Sequence, residues 1–127
     1  DVTLDADTAH PILILSDDGK QVTYGDIKLE VPDNPERFDT CCCVLAKEGF
    51  SSGKFYFEVQ VKGKTEWDLG VARESINRKG MITENSKYGY WTVVLRNENE
   101  YEAWEVKPEV VGVFVDYEEG LVSFYDV

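Results

Sequence analysis

The 127 residues carry a formal net charge of −12 and are 43% hydrophobic and 13% aromatic, against 30% charged. A disordered chain lacks that much apolar surface, and the length suits one domain burying about two-thirds of the surface its unfolded form exposes. The acidic balance argues against general nucleic-acid binding, which draws on clustered Lys and Arg. No apolar run of about 18 residues is present to span a membrane, and the N-terminal residues lack the basic and apolar regions of a signal peptide.

Along the chain, short β-branched and aromatic runs alternate with turn signals. Ile12–Leu15 reads as the first strand, closed by Asp17-Asp18-Gly19. The polar stretch from Gly25 to Thr40, with Pro32 and Pro35, reads as a loop. Cys41–Leu45 is the next strand candidate, and Ser51-Ser52-Gly53 marks the turn after it. In Phe55–Val61 the residues Phe55, Phe57, Val59 and Val61 share one face while Tyr56, Glu58 and Gln60 share the other, so one face is core. Lys62-Gly63-Lys64 separates this strand from Asp68–Ala72, and Trp67 just before it is assigned to the core.

A second loop, Glu74 to Gly89, leads to Trp91–Leu95, where parity puts Trp91 inside and Arg96 outside. Val110–Tyr117 and Leu121–Tyr125, joined through Glu118-Glu119-Gly120, form a β-hairpin in which Gly120 supplies a positive φ. No long helix and no internal repeat is evident. The expected fold is all-β, a two-sheet antiparallel β-sandwich in a single domain spanning residues 1–127.

Chemistry is sparse. His10 is the only histidine, so a Ser-His-Asp or Cys-His arrangement would depend on it alone, and a turn or packing role fits the Ala-His-Pro context better. Side chains alternate along a strand, so Cys42 would point away from Cys41 and Cys43, and packing is preferred to metal ligation. Three adjacent cysteines make no paired framework and fit a reducing, cytoplasmic compartment. Gly49-Phe50-Ser51-Ser52-Gly53-Lys54 is one residue short of a phosphate loop, and Gly63-Lys64-Thr65 lacks its upstream glycine. The acidic clusters match no calcium loop and read as solvated turns. No cofactor and no metal is expected. One stretch departs from the acidic background: residues 62–96 hold seven basic residues against four acidic ones.

Several segments together resemble the PRY-SPRY domain of tripartite-motif ubiquitin ligases and butyrophilins, most closely in the style of fish tripartite-motif proteins. Leu4-Asp5, Thr8-Ala9-His10-Pro11 and Leu13-Ile14-Leu15-Ser16 are similar to the opening of the PRY part, with Ala6 where proline is usual. Pro35-Glu36-Arg37-Phe38-Asp39 continues it. Ser52-Gly53-Lys54 and Tyr56-Phe57-Glu58-Val59-Gln60-Val61 resemble the Trp-Glu-Val-Glu strand of the SPRY part, with Phe57 in place of Trp. Trp67-Asp68-Leu69-Gly70-Val71-Ala72, Gly89-Tyr90-Trp91-Thr92 and Val115-Asp116-Tyr117-Glu118 through Tyr125 complete the match. The PRY part would cover about 1–50 and the SPRY part about 51–127.

The resemblance implies a sandwich cut short at its C-terminal strands, whose open edges would favour a homodimer or strand exchange. It also implies a non-catalytic protein-interaction module, the target-recognition domain of a tripartite-motif E3 ubiquitin ligase in innate immunity. The implied ligand face comprises Asp68, Val94 and Arg96, with Arg73, Tyr101 and Trp104 nearby. The alternative is a receptor for a small anionic, phosphate-bearing ligand or RNA, using basic residues such as Arg73, Arg78, Lys79 and Lys87.

Overall fold

The computed structural model describes residues 2–62, 67–82, 86–96, 100–101 and 109–127. The chain divides into two compact units, residues 1–49 with 75–83, and residues 50–74 with 84–127.

In the second unit, β3 (Lys54–Gln60), β7 (Val110–Asp116) and β8 (Leu121–Asp126) form one three-stranded antiparallel sheet in the order β3-β7-β8. A second sheet is formed by β4 (Trp67–Ala72), β5 (Tyr90–Arg96) and β6 (Glu100–Tyr101), in the order β4-β5-β6. The alternation in β3 is obeyed residue by residue, with Phe55, Phe57 and Val59 half-buried and their neighbours exposed. Register sets Phe57 opposite Val113 and Val59 opposite Val111, and Val113 in turn opposite Phe124. Val111 and Val113 are fully buried. Around them pack Phe55, Phe57, Val122 and Phe124 of the first sheet and Trp67, Leu69 and Val71 of the second. Residues of both sheets thus share one core, which makes this unit a β-sandwich.

The β7–β8 hairpin forms as its sequence predicts. Asp116 pairs with Leu121, and Gly120 adopts φ 68°, a left-handed conformation that would strain a side-chain-bearing residue. Tyr117 N–H donates to the Gly53 carbonyl, and Gly53 N–H donates to the Glu118 carboxylate, so the hairpin turn is tied to the entry of β3. Among the described residues, the outer edge of β8 has no strand beside it.

The first unit is built differently. β1 (Leu13–Leu15) and β2 (Val22–Tyr24) make a two-stranded hairpin, and most of the remaining order comes from non-repetitive hydrogen bonds. Its buried side chains, among the described residues, are those of Thr8, Ala9, His10, Arg37 and Phe38. Arg37 is held by three main-chain carbonyls: Nε donates to Pro32 at 2.7 Å, and Nη1 to Ala6 at 3.0 Å and Ala9 at 2.7 Å. The Arg thus ties the turn at residues 6–9 to Pro32, two stretches of chain that have no ladder of their own.

Cys41–Leu45 is not a strand. Its main-chain groups serve the N-terminal segment instead: His10 N–H donates to the Cys43 carbonyl, Asp5 N–H to the Leu45 carbonyl, and Leu45 N–H to the Thr8 hydroxyl. Only Ala46 makes a bridge, with Leu4. Cys43 N–H turns back onto the Cys41 carbonyl at 2.9 Å, which is incompatible with an extended run. No disulfide joins the three cysteines, and Cys42 is exposed.

Candidate recognition site

The residues singled out by resemblance fall on the β4-β5-β6 sheet. Trp67, Leu69 and Val71 of β4 pack on the core, so strand alternation turns Asp68 to the opposite face. In the ladder Asp68 stands opposite Val94, Trp67 opposite Leu95, Leu95 opposite Tyr101, and Arg96 opposite Glu100. Register therefore gathers Asp68, Val94 and Arg96 at one end of this sheet, whereas Tyr101, paired with Leu95, holds a register position on the face shared by Trp67. Trp104 lies outside the described residues.

Close packing of β4 on β5 depends on Gly70, which pairs with Thr92. A methyl group at this position would collide with the Trp91 carbonyl oxygen and stand 2.8 Å from the Thr92 Cα. Glycine is the residue that lets these two main chains approach.

Arg73 is not part of that end. It follows β4 at the far side of the strand, five residues and about 16 Å of extended chain from Asp68. Its N–H donates to the Gly89 carbonyl at 2.9 Å, and its guanidinium lies over the Trp91 ring, 5.5 Å from the centroid. Trp91 pairs with Val71, so Arg73 caps the rim of the core-facing side rather than joining Asp68. Beside Gly89, Lys87 approaches the exposed Tyr88 ring at 5.6 Å in a 3-10 turn, Ser86–Tyr88. These two cation–aromatic pairs make a second patch that sequence parity, with Trp91 read simply as core, had not indicated. Knowing the Val71–Trp91 register would have exposed it.

The basic residues of the 75–83 loop are spent within the first unit. Lys79 Nζ donates to the Asp33 carboxylate at 2.8 Å and to the Asn34 carbonyl at 2.8 Å. Arg78 donates to the Glu36 carbonyl at 2.8 Å. Gly80 N–H donates to Asp39 at 2.7 Å, and this bond, with help from Thr40 and Lys79, holds the Asp39 carboxyl below its ordinary range. Arg78 and Lys79, two of the seven basic residues between 62 and 96, are thus straps onto the Asp33–Glu36 stretch.

His10 is buried with its Nδ1 accepting the Ile12 N–H at 3.0 Å. Burial first, and then the charge of Lys28, push its pKa below 6.5, while the Asp39 carbonyl and carboxylate oppose the shift. This is a satisfied structural imidazole. Among the described residues, no cluster of three or more His, Cys, Asp or Glu is placed to hold a metal ion.

Residues 54–127 match the family model of the SPRY domain, and residues 2–50 match that of the SPRY-associated domain, PRY. The chain belongs to the SPRY domain family. Nuclear factor 7, ovary, from Xenopus laevis is 51% identical to this SPRY domain over 97% of the chain and 22% of that protein. The E3 ubiquitin-protein ligase TRIM21 of Bos taurus is 45% identical over 99% of the chain and 29% of that protein. The crystal structure of the TRIM65 PSpry domain matches with a TM-score of 0.78 at 21% identity, covering 99% of this chain and 71% of that one. The chain thus spans between about a fifth and three-tenths of the length of these two curated relatives.

Proposed function

We propose that this SPRY domain is the target-recognition module of a tripartite-motif-type protein, holding a protein ligand without acting on it chemically. The observation that carries this reading is the ladder register, which brings Asp68, Val94 and Arg96 to one end of the β4-β5-β6 sheet. Asp and Arg are residue types that make directional, charge-assisted contacts in protein interfaces. Kinship with E3 ubiquitin-protein ligases supports a parent that selects substrates for ubiquitin transfer, with innate immunity the setting that the sequence resemblance implies. Three cysteines with no disulfide among them fit a cytosolic setting.

The test compares partners cross-linked to the wild-type chain in cytosolic lysate with those of an Asp68→Ala/Arg96→Ala variant of matched thermal stability. Partners lost only from the variant support recognition at this end of the sheet. Partners retained unchanged overturn it and move the contact to the Gly25–Thr40 or Glu74–Gly89 stretches. The anionic-ligand alternative retains Arg73 and Lys87 but loses Arg78 and Lys79 to their straps. Its signature would be thermal stabilisation by inorganic phosphate that disappears in Arg73→Ala.

A further inference from the structure

One segment of the first unit is patterned as a strand yet, among the described residues, has no strand beside it. Residues 26–31 read Asp-Ile-Lys-Leu-Glu-Val; Asp26 and Ile27 lie in a bend, and residues 28–34 run on without turn or bend. Leu29 N–H donates to the Pro11 carbonyl at 2.8 Å. Main-chain groups alternate sides along an extended chain, so those of Lys28 and Glu30 face away from Pro11. Among the described residues, neither Lys28 nor Glu30 makes a main-chain hydrogen bond. Ile27, Leu29 and Val31 are 79%, 49% and 37% exposed. Open main-chain groups alongside exposed alternating apolar residues make a template for strand addition.

The sequence also says which strand fits. In an antiparallel pair related by a two-fold axis at Leu29, Lys28 of each copy stands opposite Glu30 of the other, and Ile27 stands opposite Val31. Leu29 then faces its own copy at a non-hydrogen-bonded position. Lys28 and Glu30 occupy hydrogen-bonded positions, where their open groups supply about four main-chain bonds. An axis one residue earlier sets Lys28 against Lys28 and Asp26 against Glu30, and an axis one residue later sets Glu30 against itself. Both meet like charges, so a single register satisfies the pattern. Pro32, which has no N–H to give, ends the pairing on that side.

We propose that this chain self-associates through residues 27–31, each copy adding its strand antiparallel to the other about a two-fold axis at Leu29. The proposal stands independently of the recognition site on the β4-β5-β6 sheet.

Sedimentation velocity on the full 127-residue chain tests it, at pH 8 so that His10 is neutral in every variant and at concentrations up to millimolar. Wild type is expected to show a monomer–dimer equilibrium. Lys28→Glu, which turns both cross-strand pairs repulsive, should weaken it about tenfold or more. Glu30→Lys should do the same, an equimolar mixture of the two single variants should dimerise, and the double swap Lys28→Glu/Glu30→Lys should recover self-association. A wild-type chain that stays monomeric at millimolar concentration overturns the proposal. A dimer indifferent to Lys28→Glu also overturns it, and would direct attention to the outer edge of β8.

Discussion

The Tyr56 side chain lies across Gly112 on the outer face of the β3-β7-β8 sheet, where its hydroxyl donates to Glu58 at 2.9 Å. That bond, followed by partial desolvation and the Glu58 charge, raises the phenol pKa. A methyl group at position 112 would meet the Tyr56 hydroxyl and ring edge, which swing aside by rotation. A methyl group at position 70 would meet the main chain of Trp91 and Thr92, which does not. Gly112→Ala should therefore cost about 1 kcal/mol or less, and Gly70→Ala about 3 kcal/mol or more. Urea denaturation of the two variants checks the ordering, and equal losses would contradict it.

Arg37 is the residue on which the first unit depends most. Its guanidinium is buried, and it serves the carbonyls of Pro32, Ala6 and Ala9. Removing it leaves the Pro32 and Ala9 carbonyls without this donor and Ala6 with only the 3.3 Å bond from the Ala9 N–H, and Lys cannot reach all three because its donors radiate from one point rather than a planar fork. Arg37→Ala should destabilise by at least about 3 kcal/mol, with Arg37→Lys recovering less than half of that loss. Amide hydrogen exchange across residues 5–10 and 32–38 should quicken in both variants. Unchanged protection there would show that the three bonds carry little.

How much of this was legible beforehand follows from where the information lies. The β3 alternation and the Gly120 hairpin are local patterns, and both were readable from the sequence. β2 was missed although Val22-Thr23-Tyr24 follows a turn signal, because three residues are too few for periodicity to register. Cys41–Leu45 misled because its composition suits a strand while its main-chain groups are claimed by residues far away in sequence. The same holds for function: Asp68 opposite Val94 and Arg73 over Trp91 are facts of register, which no single strand's parity contains.

The Arg73–Trp91 stack provides a third prediction. Arg73 is exposed, so its contact with the ring is worth about 0.5–1 kcal/mol, and Arg73→Ala should lower stability by no more than this. Arg73→Lys should recover only part, since an ammonium lacks the planar face that stacks on indole. Trp91 fluorescence should shift in Arg73→Ala while far-ultraviolet circular dichroism stays unchanged. If Arg73 lies outside the recognition end, as the distance from Asp68 along β4 indicates, target binding lost in Asp68→Ala/Arg96→Ala should survive in Arg73→Ala.

His10 makes stability depend on pH in a defined direction. Nδ1 must stay unprotonated to accept the Ile12 N–H, and burial holds the folded-state pKa below 6.5, the unfolded value. The unfolded chain therefore binds the proton first, and acidification favours unfolding. The contribution is complete above about pH 6.5 and is lost as pH falls from there toward the folded-state pKa, at up to about 1.4 kcal/mol per pH unit. Asp18, Asp39 and Glu48 have lowered pKa values, so their own losses come at more acidic pH. Denaturation midpoints should fall between pH 7 and 5.5 in the wild type. In His10→Asn, whose amide oxygen can still accept from Ile12, the midpoint should start lower and change far less over that interval. A parallel decline in both proteins would assign the acid sensitivity to groups other than His10.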